Sequence, residues 1–278
     1  MVRRDPASSE REQLALFRAL PGDMRPRDAQ DLMAYPFFSL AKTRRTRPIA
    51  FEAGAVRIQV EGVPEHGIAT IWDADVLIWA ASQIVAARDQ GLPTSRLMAV
   101  APREILTFTG RGTAQDDYRR LRAALDRLQS TTVATTLRQG ASKRQHRFSW
   151  INEWKETVRP DGRAAGLELI LPDWFYGGVL SDALVLGIDP RYFQLTGGIE
   201  RWLYRLVRKH GGRQRAGWRF ELRHLYAKSG SLARYSDFAL DVRRLALRQA
   251  LPGYQLRVAR TGGGEWLQFH RQPGAPPC

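Results

Sequence analysis

The period of the apolar positions changes several times along the 278 residues. From Phe51 to Glu61 they alternate, with Val56, Ile58 and Val60 on one side, which predicts a strand. From Asp73 to Gln90 they fall at helical spacing (Val76, Trp79, Ala80, Ile84, Ala87) until Gly91 and Pro93 end the run. Pro102 suits the first turn of a short helix over Pro102–Thr109. Gly110-Arg111-Gly112 predicts a tight turn, and Thr113, with Asp116 three residues on, predicts an N-cap. The helix that follows, Ala114–Gln129, carries Tyr118, Leu121, Leu125 and Leu128 on one face. Thr131–Arg138 and Arg147–Val158 are rich in Thr, Val, Phe, Trp and Ile and predict a hairpin around Gly140 and Lys143.

The same order recurs further on. Ile199–His210 is amphipathic through Trp202, Leu203, Leu206 and Val207, and Gly211-Gly212 ends it. Glu221–Lys228 predicts a short helix, Ser229-Gly230-Ser231 a turn, and Arg234–Gln249 a long helix with Tyr235, Phe238, Val242 and Leu245 on one face. Gln255–Arg260 and Glu265–His270 predict a hairpin around Gly262-Gly263-Gly264. Helix, short helix, turn, long helix, hairpin is the order of a winged helix. The expected fold is therefore α+β, two tandem winged-helix domains over residues 36–171 and 172–278, with residues 1–35 as a flexible arm.

Charge sharpens this picture. Lys and Arg total 43 against 28 Asp and Glu, a net charge of +15. Residues 1–35 hold equal numbers of each sign, so the excess lies in the part expected to fold. A basic folded surface attracts polyanions. One cysteine, Cys278, no bilayer-length apolar run and no signal-peptide plan point to a cytoplasmic chain. Enzyme chemistry finds no anchor. The five histidines are scattered, Gly110-Arg111-Gly112 lacks the third glycine of a dinucleotide fingerprint, and no Walker A sequence or His-x-His motif is present. No catalytic residue, metal or cofactor is expected. Asp73, Asp75, Asp116 and Asp117 suit the starts of helices.

Sequence reading of a duplex needs a helix with reaching side chains in the major groove. In the first half the candidates are Arg111, Thr113 and Gln115 around the start of the long helix, Arg119, Arg120 and Arg127 opposite its apolar stripe, and Lys143, Arg144 and Arg147 in the wing. In the second half they are Arg234, Arg243 and Arg244. Residues 201–219, with seven Lys or Arg and no acid, and 242–260, with five Arg and no acid, add to the basic surface. The run Lys42–Arg47 reads either as a phosphate grip or as a solvated linker. The tryptophans read as core. Leu240 and Leu247 fall off the second helix's stripe, and one of them fits a domain interface.

Met33–Leu40 (MAYPFFSL), Asp73–Ile84 (DADVLIWAASQI), Glu104–Thr113 (EILTFTGRGT), Leu121–Thr136, Phe148–Glu156 (FSWINEWKE), Leu169–Trp174 (LILPDW) and Leu195–Arg213 (LTGGIERWLYRLVRKHGGR) closely resemble the replication initiator protein A family of bacterial plasmids. The resemblance runs from about Asp31 to Phe269. It implies an initiator that binds double-stranded origin DNA, helps open it, and recruits the host replicative helicase or its loader. A homodimer is an open assembly. A winged-helix transcriptional regulator would read a duplex in the same way, and a protein-binding module with a basic surface is the third reading.

Overall fold

The computed structural model describes residues 10–138, 145–158, 160, 164–211 and 217–272. The chain opens with β1 (Leu16–Arg18), β2 (Arg27–Ala29) and α1 (Gln30–Ala34), then a hairpin of β3 (Ile49–Ala53) and β4 (Val56–Glu61). Next come α2 (Ala74–Asp89), β5 (Leu97–Val100), α3 (Pro102–Phe108) and α4 (Gln115–Ser130). Four strands follow: β6 (Thr132–Thr135), β7 (His146–Ser149), β8 (Glu153–Val158) and β9 (Ala164–Ile170). After α5 (Asp173–Leu180) and β10 (Val185–Gly187) lie α6 (Gly198–Gly211), β11 (Trp218–Glu221), α7 (Leu222–Ser229), α8 (Tyr235–Arg248), β12 (Tyr254–Thr261) and β13 (Gly264–Arg271). The fold is α+β. Among the described residues no helix is long and apolar enough to cross a membrane.

Two units repeat one topology. In the second, α6, β11, α7 and α8 lead into the β12–β13 hairpin, and β13 lies between β11 and β12. In the first, α2, β5, α3 and α4 lead eventually to β8–β9, and β9 lies between β5 and β8. β1 extends that sheet by pairing parallel to β5. The expected hairpin 131–158 is thus two different things. β6 and β7 pair with each other and join β3 and β4 in a separate four-stranded sheet. The hairpin equivalent to β12–β13 is β8–β9. The division falls at Trp150 and Ile151, both fully buried. The Trp150 N–H donates to Leu128 (3.1 Å), its ring stacks on Phe38, and the Asn152 N–H donates to Ile170 (2.8 Å). These contacts bend the chain out of one sheet and into the other. The single strand expected over 51–61 is likewise a hairpin, because Gly54 takes a left-handed φ of +59°.

The arm expected over residues 1–35 belongs to the fold from β1 onward. Phe17, Leu32 and Met33 are buried. The backbone N–H of Leu20 donates to Gln83 Oε1 (2.7 Å) and that of Arg27 to Ser82 Oγ (2.8 Å), both on α2. That is why α2 is buried on almost every side and shows little amphipathic contrast. Three charges of this stretch, Arg11, Asp28 and Asp31, are partners of distant folded residues. Arg11 pairs with Glu153 and Glu168, and Asp28 with Arg205.

α6 is the central helix. Trp202, Leu203, Leu206 and Val207 pack into the core, but Arg201 and Arg205 are buried as well. Arg205 grips Asp28 at 2.6 and 3.0 Å, with both side chains 1% exposed. Arg201 grips Asp75 of α2 at 2.8 and 2.9 Å and also donates to the carbonyls of Leu195 and Phe193. Burial pushes the Asp28 and Asp75 carboxyls up, against the arginines that pull them down. At its start α6 is pressed against Leu40: a Cβ on Gly198 would collide with the Leu40 carbonyl, so only glycine fits. Removing one member of a buried pair leaves the other charge without compensation. Asp28→Ala and Arg205→Ala should each destabilise the protein by roughly 3–5 kcal/mol in urea denaturation. The double substitution should cost less than their sum. A loss within experimental error for either single variant would remove the pair from the stabilising core.

Candidate nucleic-acid interface

α4 begins where Gly110 takes a φ of +66° and the chain turns back from α3. Its N-cap is Ala114 rather than Thr113, and Asp117 Oδ2, not Asp116, accepts from the Ala114 N–H at 3.2 Å. Thr113 and Gln115 are exposed at this start. On the next turn Arg119 and Arg120 point to solvent, 74% and 70% exposed, with only i,i+3 contacts to Asp116 (3.1 Å) and Asp117 (3.8 Å). Exposed pairs of this kind are weak and are exchanged readily for a polyanion. Asp117 is the less exposed of the two acids because it also caps the helix.

Two of the expected contacts on this unit are held by carboxylates of the fold. Arg127 holds Asp73 with two bonds of 2.7 and 2.8 Å, which raise its pKa, and Asp73 also accepts from the Thr70 N–H. Arg111 reaches back to Asp75 Oδ2 (3.1 Å) and the Trp72 carbonyl (2.7 Å). Both arginines remain about a quarter exposed and are anchored by carboxylates at the start of α2, on the lining of the same cleft as Arg120. Arg147 on β7 is exposed, opposite Ala134 of β6, with no ion pair among the described residues. Lys143 and Arg144 lie outside the described residues.

On the second unit Arg234 is exposed at the N-cap of α8. Arg244 is mostly exposed, 3.8 Å from Asp241. Arg243 is committed to Glu265 of β13 at 3.1 and 2.6 Å, and Arg260 approaches the same carboxylate. The bonds from Arg243, with Arg260 behind them, hold the Glu265 carboxyl below its usual range. Leu240 and Leu247 do not enter an interface within the chain. Both are exposed, Leu247 to 84%.

The loop between Leu40 and Arg47 divides similarly. Arg45 is buried and donates to the carbonyls of Gly230 (2.6 Å), Arg47 and Pro48, which ties the turn before α8 to the first unit. Gly230 accepts this position with a φ of +63° and Pro36 close against it. Lys42 lies 5.5 Å from the Trp72 ring. Lys42, Arg44, Trp72 and Arg120 line a cleft of about 1130 Å³ that runs along α4 to Thr196. A second depression of about 570 Å³, bordered by Arg244, Leu247 and Arg248, begins at the same Thr196. Thr196 thus borders both depressions, with Arg120 on the first and Arg244 on the second.

Other surface features escaped the one-dimensional reading. Trp72 and Trp218 are not core: the first lines the cleft and the second is exposed at β11. On the outer face of the β11–β13–β12 sheet, Arg219 and Arg257 flank Gln268 in register, with the Arg219 guanidinium 5.0 Å from the Trp266 ring. The alternation of Gln255 and Arg257 with Leu256 and Val258 was the available signal.

The family model described as Replication initiator protein A matches residues 27–256. A putative replication protein of Wigglesworthia glossinidia brevipalpis is 31% identical over 229 residues, 81% of this chain and 82% of that one. Among solved structures, domains 2 and 3 of RctB superpose with a TM-score of 0.61 at 16% identity, covering 86% of this chain and 97% of that one. A second crystal structure of those domains gives a TM-score of 0.57 at 16% identity, covering 88% and 97%. The likeness to RctB lies in the fold. Matched over most of its length by both family pattern and relative, the chain belongs to the replication initiator protein A family, and it is a replication initiator protein.

Proposed function

We propose that this initiator reads origin duplex DNA with two winged-helix modules, divided in the stretch after Pro172, and that α4 and α8 are their reading helices. The observation that carries this reading is that two depressions share Thr196 in their lining, one bordered by Arg120 and the other by Arg244. The repeated element order and strand order support it. In such modules the second helix of the helix-turn-helix enters the major groove with its N-terminal residues near base edges. Thr113, Gln115, Arg119 and Arg120 occupy that place on α4, and Arg234 and Arg244 serve α8. Arg147 belongs to the separate β6–β7 sheet, and with Lys143 and Arg144 we assign it an auxiliary phosphate contact. β8–β9 takes the place of the first wing.

By likeness to its family, the protein acts at a plasmid origin, promotes its opening, and recruits the host helicase or its loader. Footprinting on DNA flanking the gene tests the reading directly: protection of a repeated site beside an origin is the expected result. Protection confined to a promoter would instead make it a transcriptional regulator.

The arginines separate by role. Arg120→Ala should cost about 1–3 kcal/mol of binding on the specific site, if it holds a guanine, and leave the unfolding midpoint unchanged. Arg127→Ala should lower that midpoint, because it strands the Asp73 carboxylate, which is 3% exposed. Equal effects of the two substitutions on stability would contradict the assignment. Arg244→Ala should weaken specific binding additively with Arg120→Ala, since the two residues share no partner. If Arg244→Ala leaves gel-shift affinity intact, α8 is not a reading helix, and its exposed leucines become the better guide to its role.

A further inference from the structure

Away from the two depressions, the ends of α6 and α7 bring two lysines to one aromatic ring. Lys209 Nζ lies 5.8 Å and Lys228 Nζ 4.5 Å from the centre of the Tyr35 ring, and Lys228 is also 5.6 Å from that of Phe51 on β3. Both lysines are half-buried. Among the described residues, neither ammonium has a hydrogen-bond acceptor or an ion-pair partner. The nearest acid that acts on the site is Asp31, and its carboxylate is already engaged by Arg138 at 2.7 Å. The other titratable groups that face the lysines are Tyr35 from the end of α1, His210 of α6 and His224 of α7.

Lysines often lay their stems on rings and keep the head in water. These two lysines are half-buried, and burial weighs against the charge of each. Burial, and then the charge of Lys209, bring Lys228 down to about 8, and burial brings Lys209 below its usual value. Burial followed by the two lysines and His224 brings His210 down to about 4, so it stays neutral and adds no charge. The faces of Tyr35 and Phe51 offset part of the cost. What the arrangement lacks is an anion.

We propose that Lys209 and Lys228 form a phosphate-binding site that takes a phosphodiester group of the duplex backbone. Lysine binds phosphate as a point charge and needs no fork geometry. The position also fits: α7 is the first helix of the second helix-turn-helix, the one that crosses the DNA backbone when the following helix enters the groove. This inference rests on the proposed reading of duplex DNA.

The test measures binding of a labelled duplex against salt concentration for the full chain and for Lys209→Gln/Lys228→Gln. The double substitution should lower the slope of log affinity on log salt by roughly 0.9 for each lost contact, and weaken binding at 0.15 M salt by about fivefold for each. Lys228→Arg should keep the slope, because it keeps the charge. NMR titration of the Lys228 side chain adds a readout that a packing role would not move: its midpoint should rise from about 8 when duplex is saturating. Unchanged slope and unchanged midpoint, with duplex binding intact, would overturn this site alone. If inorganic phosphate shifts the midpoint as far as duplex does while the double variant binds duplex normally, the site serves a free anion and the backbone assignment is wrong. Failure of the unsubstituted protein to bind duplex at any salt concentration would take down both the proposed function and this inference.

Discussion

A guanidinium inside a protein must meet a carboxylate, or the cost of removing it from water is not offset. α6 carries two such groups, Arg201 and Arg205, one turn apart and both buried. Their partners come from elsewhere in the chain, Asp28 from β2 and Asp75 from α2. This requirement organises the molecule. It draws the N-terminal segment into the core, fixes α6 against α2, and sets the second unit on the first through charge as well as apolar packing. Asp75 then also receives Arg111 from the turn before α4, and its neighbour Asp73 receives Arg127 from α4 itself. The start of α2 therefore places both α4, with the turn before it, and α6, the first helix of the second unit.

The same logic divides the basic residues. Arginines with a carboxylate or carbonyl in reach (Arg45, Arg111, Arg127, Arg138, Arg201, Arg205, Arg243) act as ties between elements. Those held only by neighbours on their own helix, such as Arg119, Arg120 and Arg244, stay exposed. The two long helices also differ in character. α4 presents charge around its exposed face, whereas α8 sets Leu240 and Leu247 beside Arg244. A mixed face of that kind suits closer contact with less solvent than a purely charged one.

Periodicity located the long elements because a helix or strand buries one face, and burial writes its period into the sequence. α2, α3, α4, α6, α7, α8 and the β12–β13 hairpin were legible in that way, each within one or two residues. The recurrence of element order was legible too. Long contiguous motifs such as EILTFTGRGT and LTGGIERWLYRLVRKHGGR carried the family. Exposed positions on α4 were legible as well, since they are what remains when Tyr118, Leu121, Leu125 and Leu128 turn inward.

What needed tertiary structure was every choice that depends on a distant partner. Nothing local distinguishes Arg127 from Arg120, or Arg205 from Lys209. Asp73 and Asp28 make the difference, and they lie 54 and 177 residues away in sequence. The assignment of β7 and β8 to different sheets is of the same kind, because both segments have the β-forming residues of one strand and only the burial of Trp150 bends the chain between them. The N-terminal segment looked like a solvated arm for the same reason: an even mixture of charges reads as solvent-exposed until charges such as Arg11, Asp28 and Asp31 are seen against distant partners. By itself, the sequence determined the elements, the family and the basic character of the surface. Only the three-dimensional fold decided which charges hold the protein together and which remain exposed, because ion pairing between distant residues leaves no period along the chain.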